Sequence, residues 1–334
     1  MNNNALEVIA TWSINYGLNN ILHEAITEGL SGVRLILKGQ HKELPAAIDQ
    51  FCHAVKKINP NFKIMIDLPG SKPRFGNFDS PLIVNKGDLI TFSFNVAHTT
   101  DNAYPTEYLG LYSSEIKIGD RLLTNDGTTT FIVNDLLDDC IIVRLLDQCA
   151  TIVSNRSINL PDSKVNFKAL SPVDVNAISQ LTGLNFDMIA ISMVNTDSDI
   201  IESREIMFSL GFQSELIAKI ETPKALLNLE KIVEKSDSLM IARGDLTTIY
   251  GGSNLFYAQK MIIDAGKKYN KSIIGATGLF ASLSESEEPT ISEFCDVGYL
   301  LASGISRFLL SDAVSLNQPA RACRWFKKQF DSFK

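Results

Sequence analysis

The chain has 334 residues, of which 45% are hydrophobic and 21% charged, with a formal net charge of −7. That composition supports a large core and excludes an intrinsically disordered polypeptide. The acidic balance argues against a non-specific nucleic-acid binder, which needs a basic face. No basic start with an apolar run opens the sequence, so no secretory leader is expected. No stretch of about 18 apolar residues occurs, so no membrane span is expected either.

In chain order, short apolar runs predict strands at 6–11, 33–37, 63–68, 188–194, 216–221, 238–242, 272–276 and 307–310. They are nearly continuous in apolar character, as parallel strands buried on both faces are. Amphipathic segments at 18–28, 44–58, 172–182, 198–210, 223–234, 255–269, 291–302 and 319–330 predict the helices between them. Ser171-Pro172 and Thr222-Pro223 each set a capping hydroxyl before a proline at the first helical position.

Residues 70–159 break this rhythm. Short β-type runs at 89–94, 122–123, 129–133 and 141–145 alternate with turn signals such as Lys86-Gly87-Asp88 and Asn125-Asp126-Gly127. The expected fold is therefore α/β. A (β/α)₈ TIM barrel is predicted for residues 1–70 and 158–334, with a small all-β domain, a β-barrel lid at 71–157, inserted after the third strand. A doubly wound open sheet is the alternative, but no GxGxxG follows a strand.

Cys52, Cys140, Cys149, Cys295 and Cys323 form no CxxC, which suits single thiols in a reducing cytoplasm. The four histidines show no ligand spacing, so zinc is not expected.

In a TIM barrel the carboxyl ends of the strands line the site. Those positions hold Arg34, Asp67, Ser192, Lys219, Glu221, Arg243, Asp245 and Thr277. Lys219 and Glu221 lie two apart and share one face of a strand. With Asp245 they offer two hard carboxylates and an ammonium. That set suits Mg²⁺ or Mn²⁺ and a reaction that develops negative charge. The structural alternative is a buried ion-pair network that closes the barrel.

These residues carry a resemblance to pyruvate kinases. Val33-Arg34-Leu35 resembles the family's ARLNFSHG, and the run from Asp67 to Arg74 resembles DTKGPEIR. Asn159-Leu160-Pro161 resembles NLPG. Lys219-Ile220-Glu221, then Ala242-Arg243-Gly244-Asp245-Leu246, Ala276-Thr277 and Pro289-Thr290 follow in family order. The resemblance implies Glu221 and Asp245 as divalent-metal ligands. It implies Lys219 as the lysine that neutralises the transferring phosphoryl group and the enolate, and Thr277 as the threonine near the protonation site. It implies substrate-carboxylate contacts from the amides of Gly244 and Asp245, and phosphate contacts from Arg34 and Arg74. Ser192 joins them as a substrate-side residue at its strand end.

The departures fall on the potassium and nucleotide side. The family's Ser-His pair is Lys38-Gly39, its potassium-holding asparagine is Ile36, and the threonine beside Asp67 is Leu68. The implied cofactor is Mg²⁺ or Mn²⁺ with no need for K⁺, and Lys38 beside Asp67 is the candidate ammonium in its place. The family's carboxyl-terminal domain is expected to be missing after Lys334, which leaves homo-oligomerisation open. Three functions remain at this level. The first is a cytoplasmic phosphotransferase acting on phosphoenolpyruvate, with a nucleotide or an altered acceptor. The second is a metal-dependent pyruvate-enolate lyase (aldolase or decarboxylase), and the third a non-catalytic homologue. No nucleic acid and no membrane enter any of them.

Overall fold

A computed structural model describes residues 5–37, 44–95, 103–163 and 165–333. Its strands, in chain order, are β1 (Glu7–Trp12), β2 (Gly32–Ile36), β3 (Lys63–Leu68), β4 (Arg74–Phe75), β5 (Leu82–Asn85), β6 (Leu89–Ser93), β7 (Ala103–Glu107) and β8 (Arg121–Thr124). There follow β9 (Thr129–Leu136), β10 (Cys140–Leu145), β11 (Cys149–Ile152), β12 (Met188–Ile191), β13 (Glu215–Ile220), β14 (Ser238–Ala242), β15 (Ser272–Ala276) and β16 (Arg307–Leu309).

The chain divides into two compact units. One is drawn from Met1–Gly70, Ala169–Arg243 and Phe256–Lys334, the other from Ser71–Lys168 and Gly244–Leu255.

In the first unit, β1, β16, β15, β14, β13, β12, β3 and β2 close into a barrel whose neighbours all pair in parallel. The predicted (β/α)₈ architecture is therefore present. Side chains of alternate residues point the same way along a strand, so the lumen can be followed up each strand. Its middle is an apolar layer of Ile9, Met65, Met188, Ala190, Ile217, Met240, Ile274, Ala276 and Leu309, all almost wholly buried. Two residues toward the amino end, the same faces carry Glu7, Lys63, Glu215 and Arg307. Arg307 pairs with Glu7 at 3.0 Å and with Glu215 at 2.6 Å, and Lys63 pairs with Glu7 at 2.5 Å. This ionic plug lies at the face that in such barrels serves stability. Two residues toward the carboxyl end, the faces carry Thr11, Asp67, Ser192 and Lys219. The parity that builds the core thus also aims the polar mouth.

The helices around the barrel begin where capping chemistry allows. Ser171 and Asp174 form a capping box at the start of Pro172–Ser179, and the Thr222 hydroxyl accepts from the Ala225 N–H at 3.0 Å. The segment read as one helix over 223–234 is two, Pro223–Leu227 and Leu229–Lys235. Asn228, at φ −105° and ψ 14°, is the break, and its side-chain amide donates to the Asn195 carbonyl at 3.0 Å.

In the second unit, a six-stranded sheet runs in the order β4-β7-β6-β10-β9-β8, and β11 pairs with β5. The pairs are antiparallel except β6 with β7. Phe75, Phe92 and Phe131 form its aromatic core, with centroids 5.0 and 5.3 Å apart. Gly244–Leu255 is grouped with these strands. At Gly127, φ +87°, an added Cβ would lie only 3.4 Å from the Thr248 hydroxyl.

Candidate active site

The barrel unit brings Arg34, Asp67, Ser192, Lys219 and Glu221 together. Asp67, 2% exposed, is the centre. Lys219 Nζ donates to its two oxygens at 3.2 and 3.3 Å, Arg34 Nη1 donates at 3.1 Å, and Ser192 Oγ donates at 3.2 Å. Lys219 also donates to Ser192 Oγ at 2.6 Å and lies 3.2 Å from Glu221 Oε1. The other Glu221 oxygen accepts from the Met193 N–H at 2.7 Å. The geometry satisfies the expectation of a buried ion-pair network. It also concentrates two cations and two carboxylates at the strand ends, where chemistry is done in this fold.

Electrostatics follow from the contacts. Burial opposes ionisation of Asp67, but the charges of Lys219 and Arg34, with hydrogen bonds from Lys219 and Ser192, outweigh it. They hold its carboxyl below the ordinary carboxylate range. Glu215 in the ionic plug behaves likewise: burial is outweighed by Arg307 and Ser238. Both groups have folded-state values below their unfolded ones. Each therefore contributes stability that is present above about pH 4 and lost as pH falls through the lowered folded value. Urea unfolding midpoints measured from pH 5 down to pH 3 should fall steeply, and less steeply for Asp67→Asn. Equal slopes would remove Asp67 as the cause.

Several partners were not named from the sequence. Thr11 Oγ1 accepts from Arg34 Nε and Nη2 at 3.1 and 2.7 Å, and Asp312 accepts from Arg34 Nη2 at 3.2 Å. Thr11 was findable, since it stands two residues beyond Ile9 on the lumen face. Met193 was not, because it contributes a backbone N–H. The strand expected over 188–194 ends at Ile191, and Met193 takes φ +56°, which turns that N–H toward Glu221. Asn195 steadies the turn by donating to the Met193 carbonyl at 2.9 Å, and Thr222 donates to Asn195 Oδ1 at 2.8 Å.

Thr277 stands in the same unit, exposed, one residue past the end of β15. Among the described residues its engaged atom is the carbonyl, to which Arg243 donates. Lys38 lies outside the described residues, so its expected place beside Asp67 has no structural counterpart here.

Gly244, Asp245 and Arg74 belong to the second unit. Asp245 ends the short helix Arg243–Asp245, pairs with Lys72, and is followed by a π-helical turn, Leu246–Tyr250. Lys72 is 3% exposed, a buried ammonium to which no role was assigned from the sequence. The Gly244 carbonyl accepts from the Thr248 hydroxyl at 2.9 Å. Arg74 donates to the Asn155 carbonyl at 3.4 Å.

Among the described residues no group of three or more His, Cys, Asp or Glu is placed to hold a metal ion. A closed protein cage of the zinc type is therefore not formed by them. No described helix is long and apolar enough to cross a membrane.

A closed parallel barrel with a charged constellation at its carboxyl-end face, and a β-rich unit within the same chain, defines a TIM-barrel protein of the enzyme type. A profile of the pyruvate kinase barrel domain matches residues 4–320. The chain belongs to the pyruvate kinase family. It is 30% identical over 263 residues to a pyruvate kinase of Mycobacterium tuberculosis, covering 78% of this chain and 55% of that protein. With the Mycobacterium intracellulare pyruvate kinase the identity is 28% over 288 residues, 86% of this chain and 61% of that one. The crystal structure of pyruvate kinase from Pyrobaculum aerophilum superposes with a TM-score of 0.81 at 25% identity, covering 98% of this chain and 73% of that one. The chain spans about half to two thirds of the length of the curated relatives it matches.

Proposed function

We propose that the chain is a pyruvate-kinase-type phosphotransferase that acts on phosphoenolpyruvate with a divalent cation, its acceptor either ADP or an altered one. The observation that carries the reading is Lys219, an ammonium seated at the barrel mouth between Asp67, Ser192 and Glu221. There it can neutralise charge that develops on a phosphoryl group or an enolate. Glu221 and Asp245 are the residues that would hold Mg²⁺ or Mn²⁺, and the ion would supply Lewis-acid chemistry. Arg34 and Arg74 would contact phosphates, the amides of Gly244 and Asp245 the substrate carboxylate, and Ser192 and Thr277 the reacting end. K⁺ is not required in this reading. Asp67 already carries Lys219 and Arg34 on its carboxylate. The unpaired cysteines support a reducing, cytoplasmic setting.

The test is incubation with phosphoenolpyruvate, ADP and Mg²⁺, with and without K⁺, and again after chelation with EDTA. Pyruvate should form without K⁺ and cease on chelation. No pyruvate with ADP or any other nucleoside diphosphate would overturn the phosphotransfer reading. In that event, metal-dependent exchange of the pyruvate methyl protons without nucleotide would identify the lyase chemistry instead.

A further inference from the structure

Thr277 has φ +68°, and Gly278 after it has φ +75°. A left-handed backbone is sterically costly for a β-branched residue and persists only where the surroundings impose it. Here the imposing group is Arg243, 7% exposed. Its Nε donates to the Ala276 carbonyl at 3.0 Å and to the Thr277 carbonyl at 2.9 Å, and its Nη2 donates to the Thr277 carbonyl as well. The far side of the guanidinium is tied down in turn. Nη1 donates to both Asp296 oxygens, at 2.8 and 2.7 Å.

Asp296 sits on the helix Ile291–Ala302, whose start is itself locked. Thr290 and Glu293 form a capping box, and the Glu293 carboxylate also accepts from the Ser282 N–H at 2.8 Å and the Ser282 hydroxyl at 2.5 Å. A rigid helix thus holds a planar fork, and the fork holds one strained peptide.

We propose that Asp296 and Arg243 are positioning residues. Together they form a clamp on the Thr277 carbonyl that keeps this residue left-handed at the carboxyl end of β15. The inference rests on the reading of Thr277 as a site residue. It adds that the placement of Thr277 is set from a helix, through a guanidinium that touches no reacting atom. An arginine is required, since its planar fork alone can meet two carbonyls on one side and a carboxylate on the other.

The test is a thermal double-mutant cycle on the whole chain: wild type, Asp296→Asn, Thr277→Gly and both together. Glycine accepts a positive φ without steric cost, so in the Thr277→Gly background the clamp has no strain to oppose. Asp296→Asn should lower Tm by about 4 °C beside Thr277→Gly, where the tie is simply lost, and by less than half of that in the wild type, where releasing the clamp also relieves the strain at Thr277. Equal losses in the two backgrounds would mean a plain structural staple and would overturn the proposal. Should Asp296→Asn fail to fold, Arg243→Lys, which keeps the charge and gives up the fork, runs through the same cycle. In pyruvate formation, Asp296→Asn should lose about tenfold in kcat with an unchanged KM. Asp296→Glu should recover part of that loss. An unchanged kcat in folded Asp296→Asn also overturns the clamp. If the wild type makes no pyruvate, the phosphotransfer reading fails, while the thermal cycle still decides the clamp.

Discussion

Lys219→Met should abolish pyruvate formation, with a loss of about a thousandfold or more in kcat. The substitution keeps the length of the side chain and removes its charge. Two consequences are expected, and they are separable. The catalytic one is loss of the group that meets developing negative charge. The structural one follows from the partners: Asp67 and Glu221, 2% and 1% exposed, each lose an ammonium near 3.2 Å. Removing one member of a buried charge network leaves the others uncompensated and costs about 3–5 kcal/mol. The variant should therefore unfold several degrees lower as well as being inactive. Arginine at this position should restore part of the stability and little of the activity, since a fork cannot occupy the seat of a point charge. Steady-state kinetics beside calorimetry would check both parts. Wild-type kcat in folded Lys219→Met would sink the proposed role.

Asp67→Asn should be the second severe change. Asp67 does not need to touch substrate for this to hold. It holds Lys219 through two contacts and Arg34 through one, and it receives Ser192. The amide keeps the shape and an acceptor oxygen but loses the charge that opposes the buried Lys219 and the partly exposed Arg34. We expect a stability loss of about 3 kcal/mol from the broken charge network. We expect a fall in kcat of about a hundredfold as Lys219 drifts from its place. Because Arg34 is also released, KM for a phosphate-bearing substrate should rise. A variant that keeps wild-type kcat and KM would show that Lys219 and Arg34 are positioned by other groups. Chemical denaturation and the pH series together separate the electrostatic loss from the kinetic one.

Much of the barrel was legible because parallel strands are locally encoded. The runs at 63–68, 238–242 and 272–276 coincide with β3, β14 and β15, since each is apolar on both faces and bounded by turn residues. The inserted stretch was read less fully. β5 and β11 pair with each other across more than sixty residues, and Pro105 lies within β7, so neither periodicity nor propensity marks these strands. The helix break at Asn228 was invisible for a related reason. It is stabilised by the Asn195 carbonyl, a partner from another loop.

The site divides in the same way. Alternation along a strand is a local property, and strand-end position alone named Asp67, Ser192 and Lys219 as site candidates; the structure sets them on the same faces as the apolar layer beneath them. Position at the strand ends also named Glu221, Asp245 and Thr277, and family motifs added the roles they are expected to play. What local pattern could not contain is which charge answers which. Asp67 and Lys219 are 152 residues apart in sequence, and Arg34 and Asp312 are 278 apart. Barrel closure makes them neighbours, because pairing β1 with β16 is the step that brings the two ends of the chain together. The left-handed turns at Met193 and Thr277 belong to that second kind of information. Neither is a residue that adopts such a backbone unaided; Met193 is held by its neighbour Asn195 and by Glu221 from the next strand, and Thr277 by Arg243 and Asp296 from other elements of the barrel.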